Sequence, residues 1–323
     1  MLVYAVRRLA LAVFFVWLVS FGSFVAFGLS FDPLYQLNIC LEQRCKLEKE
    51  MVTAQYHLHD PILQRYWYWL SGLIHHGFGS SVFPIPGSPT TAIDPALIGS
   101  AEVTAQLMAV GLVLTVLFSV LIGVTSARRP GGSIDGSLRT VAYLTWSLPT
   151  FLTGVLLYRW LGPLGWFYDH RAPGGGFLPW IRTITLPAVT LSLGLIGLYS
   201  RYVRTATLTE LQRPYATVAR AKGLSEIRMT IRHVLRNALG PFVSVLALDI
   251  GAIVGASLAA DWVFQIGGLA GYFANSINHA DPFRLTAVVV VIAAVVSVFM
   301  FLSDLALGWL DPRARAASFD RTS

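Results

Sequence analysis

Six apolar runs set the terms for any fold this chain can adopt. They lie at about 9–31, 105–124, 138–161, 184–202, 239–258 and 285–309, each close to the ~17–25 residues that cross a hydrocarbon core about 30 Å thick. Lipid offers no partner for a backbone N–H or C=O, so a spanning segment must satisfy its own hydrogen bonds as a helix. The sequence therefore predicts an all-α integral membrane protein, a six-span transmembrane helix bundle. Composition agrees: 55% of residues are hydrophobic and 13% are charged, where soluble domains carry about 25% charged residues. The net charge of +7 does not point to nucleic acid, because no basic domain or basic aromatic groove accompanies it. Basic residues flank the apolar runs instead, as the positive-inside rule expects.

Those flanks give an orientation. Arg7 and Arg8 precede the first run, Arg128 and Arg129 follow the second, and Arg313 and Arg315 follow the sixth. Both termini are expected in the cytoplasm. The first run exceeds the ~7–15 residues of a secretory h-region, so it reads as an uncleaved anchor. Residues 1–31 then make the N-terminus and first span, and 32–102 an external helical segment between spans 1 and 2. Residues 103–310 make a five-span core with a cytoplasmic loop at 205–238, and 311–323 a cytoplasmic tail.

In the external segment, residues 41–58 alternate acids and bases around apolar positions and predict a surface helix. Cys40 and Cys45 are the only cysteines. A disulfide is chemically allowed on that side, yet on one continuous helix the two would face each other poorly, so bridge and free thiols stay equally open. His57, His59, His75 and His76 invite a metal. Without an accompanying carboxylate or third-ligand spacing they read better as surface histidines. Pro84, Pro86, Pro89 and Pro95 predict an irregular loop.

The stretch 205–241 is the one long piece that cannot sit in lipid. Pro214 suits the first helical position, Arg220 and Lys222 suit a last turn, and Gly223 suits a left-handed exit. Leu211, Tyr215, Val218 and Lys222 share one face. A second helix is expected after Ser225 as N-cap, with Ile227, Ile231, Val234 and Leu235 as its apolar stripe and Arg228, Arg232 and Arg236 as its basic one. The bland reading is an amphipathic pair lying on anionic lipid; the sharper one is a docking knuckle for a cytoplasmic partner.

Tyr215, Thr217, the run Ala219-Arg220-Ala221-Lys222-Gly223-Leu224, His233, Arg236-Asn237-Ala238 and Pro241 resemble the cytoplasmic coupling loop of ABC-importer permeases. More narrowly, they are similar to the B-type permease subunit of dipeptide and oligopeptide importers. Looser matches run along nearly the whole chain. They are Asp60-Pro61-Ile62, the turn from Gly79 to Ser81, Ser147-Leu148-Pro149-Thr150-Phe151, Leu186-Pro187-Ala188, Asp261 with Phe264, Gly268-Leu269, Asp281-Pro282 and Asp311-Pro312-Arg313. His76-Gly77 departs from the family's Gly-Asp, Asp261 replaces its Glu, Ala270 its second Gly, and Gly267 stands where Pro is common.

The resemblance implies a type I ABC importer permease in a bacterial inner membrane. It implies three kinds of partner besides the lipid bilayer: a second homologous permease subunit, two cytoplasmic ATP-binding subunits and an extracytoplasmic peptide-binding protein. ATP and Mg would belong to the ATPase partners, with no cofactor in this chain. Pro214, Tyr215, Val218, Ala219, Arg220, Ala221, Lys222, Gly223 and Leu224 would dock the ATPase. Asp261, Phe264, Gly268 and Asp281 would lie near the outer gate and face the binding protein.

Within the spans, Pro149 and Asp249 are candidates for the translocation path. A proline kinks a span where a cavity or neighbour re-satisfies the backbone. An intramembrane acid faces a bundle interior or a wet path, or makes a structural hydrogen bond to another span. No catalytic set can be assembled: phosphate-loop, His-Glu-x-x-His and Gly-x-Ser-x-Gly motifs are absent. The chain is expected to be no enzyme. Nickel and glutathione importers of the same family stay open as alternatives, and so does an ion-coupled secondary transporter acting through Asp249.

Overall fold

The structure is a computed structural model and describes residues 2–34, 38, 43–81, 92–164 and 176–310. Helices carry it: α1 (Leu2–Ser30), α2 (Gln43–Gln55), α3 (Ile62–His76), α4 (Ile93–Arg128), α5 (Ser133–Ser147), α6 (Thr150–Leu161), α7 (Phe177–Leu211), α8 (Pro214–Ala221), α9 (Glu226–Met229), α10 (Leu235–Leu248), α11 (Ile250–Phe264), α12 (Leu269–Asn278) and α13 (Pro282–Leu310). Among the described residues, α1, α4, α7 and α13 are each long and apolar enough to cross a bilayer. Two bent pairs give up to six crossings if each pair is one span, one of α5 with α6 at 104° and one of the 226–246 stretch with α11 at 68°. Val6, Leu9, Val13, Phe14 and Trp17 on α1 are exposed, as side chains facing lipid must be.

Several boundaries differ from the sequence expectation, each for a local reason. The third run, expected as one kinked helix, is two helices. Pro149 has no N–H and keeps the residue before it out of the helical region; Leu148 is extended at φ −89°, ψ 127°. The fifth run breaks at Asp249, at φ −91°, ψ 10°, with no proline. Helix α7 runs beyond Tyr202 to Leu211, because the end of an apolar run marks the edge of the lipid and not the end of a helix, and arginine is a good helix former. Helix α4 starts at Ile93 and takes Pro95 into its first turn, where the missing N–H has no helical partner to lose. The external helix is described as Gln43–Gln55 and ends before the expected residue 58. Cys40, and with it the expected bridge to Cys45, lies outside the described residues, as do Pro84, Pro86, Pro89 and the tail with Asp311-Pro312-Arg313.

The chain divides into two compact units. One holds Ala105–Ile266 and the chain from Phe299; the other holds Leu2–Thr104 and Gly267–Val298. In the first, α5, α6, α10 and α11 all pack on α7. Small residues let the backbones close up: a Cβ on Gly197 would stand 2.6 Å from Thr145 Oγ1 and 3.0 Å from Trp146 N, and one on Gly123 2.8 Å from the Ser200 carbonyl. Leu107, Ile184, Ala188, Leu191 and Ala260 form the buried core, and Tyr199, Val203 and Phe242 a second cluster. In the second unit α3 packs along α1. Ser20 Oγ and Tyr66 Oη are 2.8 Å apart, and Phe24 meets Tyr66 and Trp69 edge-on and tilted.

Candidate functional site

The loop after α7 folds into a knuckle. Arg213 is extended, Pro214 opens α8, and the Ala216 N–H donates to the Arg213 carbonyl at 3.0 Å. At the far end Gly223 takes φ +78°. Its N–H reaches the Arg220 carbonyl at 2.9 Å and the Leu224 N–H reaches the Ala219 carbonyl at 3.2 Å. These are the two hydrogen bonds of a Schellman exit, and they satisfy carbonyls a helix end would otherwise leave open. Leu224 supplies the apolar contact such an exit favours, packing with Leu211 and Tyr215 on buried Ala216, Ala219, Met229 and Val234. Tyr215 Oη donates to Glu210 Oε2 at 2.8 Å; burial, then that carboxylate, push the phenol pKa up.

The expected docking residues therefore divide. Tyr215, Ala219 and Leu224 hold the knuckle together, whereas Pro214, Val218, Arg220, Ala221, Lys222 and Gly223 are exposed. The stripe of Leu211, Tyr215, Val218 and Lys222 splits in the same way: the first two pack inward and the last two face out. Arg220 Nε pairs with Glu226 Oε1 at 2.8 Å. Ser225 sits at the start of α9 without capping through its hydroxyl. The second apolar stripe differs from expectation. A π turn at Thr230–Val234 shifts the helical phase, so Met229, Thr230, Val234 and Ala238 are buried while Ile227 and Ile231 are 54% and 62% exposed.

Upstream on the same helix α7 lies a group that sequence reasoning missed. Arg204 Nε and Nη2 each donate to Asp135 at 2.8 Å, one to each carboxylate oxygen. The Gly131 N–H donates to Asp135 Oδ2 at 2.9 Å, and Ser126 Oγ also donates to this carboxylate. The Asp135 side chain is 1% exposed and that of Arg204 20%. A bidentate, fully hydrogen-bonded pair is the form in which a desolvated charge is tolerated. It joins α4, α5 and α7 ten residues before Pro214. The visible signal was one Asp and one Arg beside apolar runs, which spacing alone does not pair.

The other expected residues fall in separate places. Pro149 stands exposed at the bend between α5 and α6. Asp249 stands at the other bend and accepts a hydrogen bond from Tyr199 Oη on α7 at 3.2 Å, the structural contact weighed above. Asp261 and Phe264 are buried on α11 in the first unit, with Phe264 packed on Leu186 and edge-on to Tyr158. Gly268 and Asp281 belong to the second unit. Gly268 precedes α12, whose first N–H, from Leu269, donates to Thr104 Oγ1 at 2.9 Å. Asp281 caps α13, with Pro282 at the first helical position. Its Oδ1 accepts the N–H groups of Phe283 and Arg284 at 3.0 and 3.1 Å, an N-cap typically worth ~1 kcal/mol. Its Oδ2 accepts Ser81 Oγ at 2.6 Å. Two motifs 200 residues apart are thus one hydrogen-bonded joint. Among the described residues no three His, Cys, Asp or Glu side chains converge as a metal site would need.

Comparison with known proteins gives this geometry its setting. Residues 119–316 match the family described as the binding-protein-dependent transport system inner membrane component. The dipeptide transport system permease protein DppB of Bacillus subtilis is 30% identical over 82% of this chain and 83% of its own length. The oligopeptide transport system permease protein OppB of Mycobacterium tuberculosis is 30% identical over 97% of this chain and 99% of its own. A putative peptide permease protein of Brucella suis is 30% identical over 98% and 99% respectively. With a membrane helix bundle, a knuckle closed by Gly223 and matches of this extent, the chain belongs to the family of inner-membrane components of binding-protein-dependent transport systems.

Proposed function

We propose that the chain is the permease subunit of an ATP-driven importer of small peptides, coupled to its ATPases through α8. The single observation that carries this is the knuckle: a short helix fixed at both ends by backbone chemistry, presenting Val218, Arg220 and Lys222 outward from the end of a spanning helix. An exposed apolar residue flanked by cations suits an acidic, apolar-lined cleft in a cytoplasmic partner. The relatives named for dipeptides and oligopeptides supply the substrate class. ATP and Mg are assigned to two separate ATP-binding subunits, and this chain is paired with a second permease and an extracytoplasmic binding protein. Both termini and the knuckle are placed in the cytoplasm. When the ATPases close, the knuckle moves as one piece with α7, and Arg204 carries that movement to α5 through Asp135. Nucleotide then biases two packed arrangements of the spans of similar free energy.

Val218→Asp with Arg220→Glu tests the docking role while leaving the buried knuckle core untouched. Ala219→Glu would not serve, because Ala219 is inside that core. The expected result is normal membrane insertion, loss of the ATP-binding subunits on co-purification, and labelled dipeptide uptake at background. Undiminished uptake would overturn the proposal.

A further inference from the structure

The knuckle offers α8 to a partner and leaves one face of the helix after it without an occupant. On the 226–246 stretch Ile227 and Ile231 are more than half exposed, and Arg228, Arg232 and Arg236 are exposed beside them. The arginines stand four apart, the spacing of one helical face. The π turn at Thr230–Val234 takes more residues per turn than an α-helix, which offsets the drift that four-residue spacing builds up in a regular helix. The opposite face is the buried one. Met229 and Val234 pack on Ala216 and Ala219 of α8, with Thr230 and Ala238 buried beside them. Helix α8 therefore lies on one side of the stretch, and the isoleucines and arginines on the other.

The charge on that outer face is uncompensated. The acids of 205–241 are Glu210 and Glu226. Glu210 accepts the Tyr215 hydroxyl and lies 3.6 Å from Arg213, and Glu226 holds Arg220. Among the described residues no acid pairs with Arg228, Arg232 or Arg236. The bend sets the face at the bilayer surface. The stretch meets α11 at 68°, so with α11 upright across the membrane it lies closer to the membrane plane than to the normal. From Arg228 to Leu239, where the apolar run begins, about 16 Å of helix at ~1.5 Å per residue then descends only about 6 Å, within a headgroup layer of ~5–7 Å. An amphipathic helix lying there puts its apolar side chains at the acyl boundary and its cations among lipid phosphates.

We propose that the face made by Ile227, Arg228, Ile231, Arg232 and Arg236 binds the anionic phospholipid headgroups of the surface it lies on. The inference rests on the chain crossing a membrane and not on which subunits dock on α8. The test uses the full chain with Cys40 and Cys45 changed to Ser and a nitroxide label at Ile231→Cys. It is placed in nanodiscs of phosphatidylcholine, alone or mixed with phosphatidylglycerol of the same tails. Phosphatidylglycerol should shield the label from a water-soluble nickel relaxant. Arg228→Gln with Arg232→Gln and Arg236→Gln should abolish the shielding, and lysine at the same three positions should keep it. Each cation near an anionic surface is worth about fivefold, so the glutamine variant should also retain at least about tenfold less phosphatidylglycerol through detergent extraction. Salt at about 1 M, where the Debye length is ~3 Å, should cancel the shielding in the arginine form. Equal shielding in both lipids, shielding that survives salt or the glutamine changes, or displacement of the lipid by an equal concentration of glycerol 1-phosphate would each overturn the proposal. So would loss of the ATP-binding subunits from a transporter carrying the glutamine variant with its lipid retention intact, which would hand the face to the ATPase.

Discussion

The two bent spans lean on the same helix, yet they are bent and anchored by different chemistry. Between α5 and α6 the agent is Pro149, and the angle is 104°. The carboxylate tying that pair to α7 is Asp135, far from the bend, and it has charged, bidentate contact with Arg204. The 226–246 stretch meets α11 at 68°, and Asp249 stands at the break. Its carboxylate is half-buried and receives the Tyr199 hydroxyl at 3.2 Å. Around it the helical ladder survives: the Asp249 N–H reaches the Val245 carbonyl at 3.1 Å and the Ile253 N–H reaches the Asp249 carbonyl at 3.0 Å. The first bend is therefore begun by proline, held by packing and firmly tied at a distance. The second is held only by packing and one polar contact, which makes it the softer hinge.

The comparison breaks most visibly at Asp135. Asp135→Ala leaves the Arg204 guanidinium without its carboxylate in a site where water is scarce, and should cost about 3–5 kcal/mol. Thermal unfolding in detergent would show it as a large drop in midpoint, and a drop no larger than that of Tyr199→Phe would erase the asymmetry. Gly197→Ala comes next. Its new methyl would press on the Ala142 carbonyl and Thr145 of α5, an overpacking cost of about 1–3 kcal/mol. Only the α5–α6 pair should feel it: cross-linking from α7 to α5 should weaken while that from α7 to α10 stays intact. Tyr199→Phe is smaller. It removes one long hydrogen bond, worth about 1 kcal/mol, with the apolar cluster of Val203 and Phe242 unchanged. Its check is again the thermal midpoint, beside a change in peptide uptake larger than that midpoint implies.

Residue chemistry explains which of these features the sequence displayed. Pro149 announces a break, because a missing N–H acts wherever it occurs; that the break becomes a right-angle turn depends on what α6 packs against. Pro214 and Gly223 announced both ends of α8, since the first helical turn and a left-handed exit are backbone demands. The buried face beyond Ser225 was not legible, because the π turn at Thr230–Val234 changes the period on which a stripe is read. The length of α7 past Tyr202 was not legible, because an apolar run ends at the edge of the lipid while the helix runs on, and the Asp135–Arg204 pair is a tertiary contact that no local window contains. The Asp281 joint with Ser81 was visible as two separate motifs and became one object only in three dimensions.

Pro149→Ala should have the smallest effect and is the sharpest probe of the difference. It returns an N–H and frees Leu148 to turn helical, so a bend made by proline alone should open. Packing argues that it will not: Gly154 on α6 sits where a Cβ would be 3.2 Å from both Thr190 of α7 and Val263 of α11, which pins α6 in place. The stability change should stay under about 1 kcal/mol. Spin labels at exposed Leu144 and Val155, with Cys40 and Cys45 changed to Ser, should keep their separation. Labels at exposed Val243 and Trp262 in Asp249→Ala should move apart, because there the polar contact at the bend is lost and the ladder is already continuous. Straightening of the first pair with none in the second would reverse the assignment of the softer hinge.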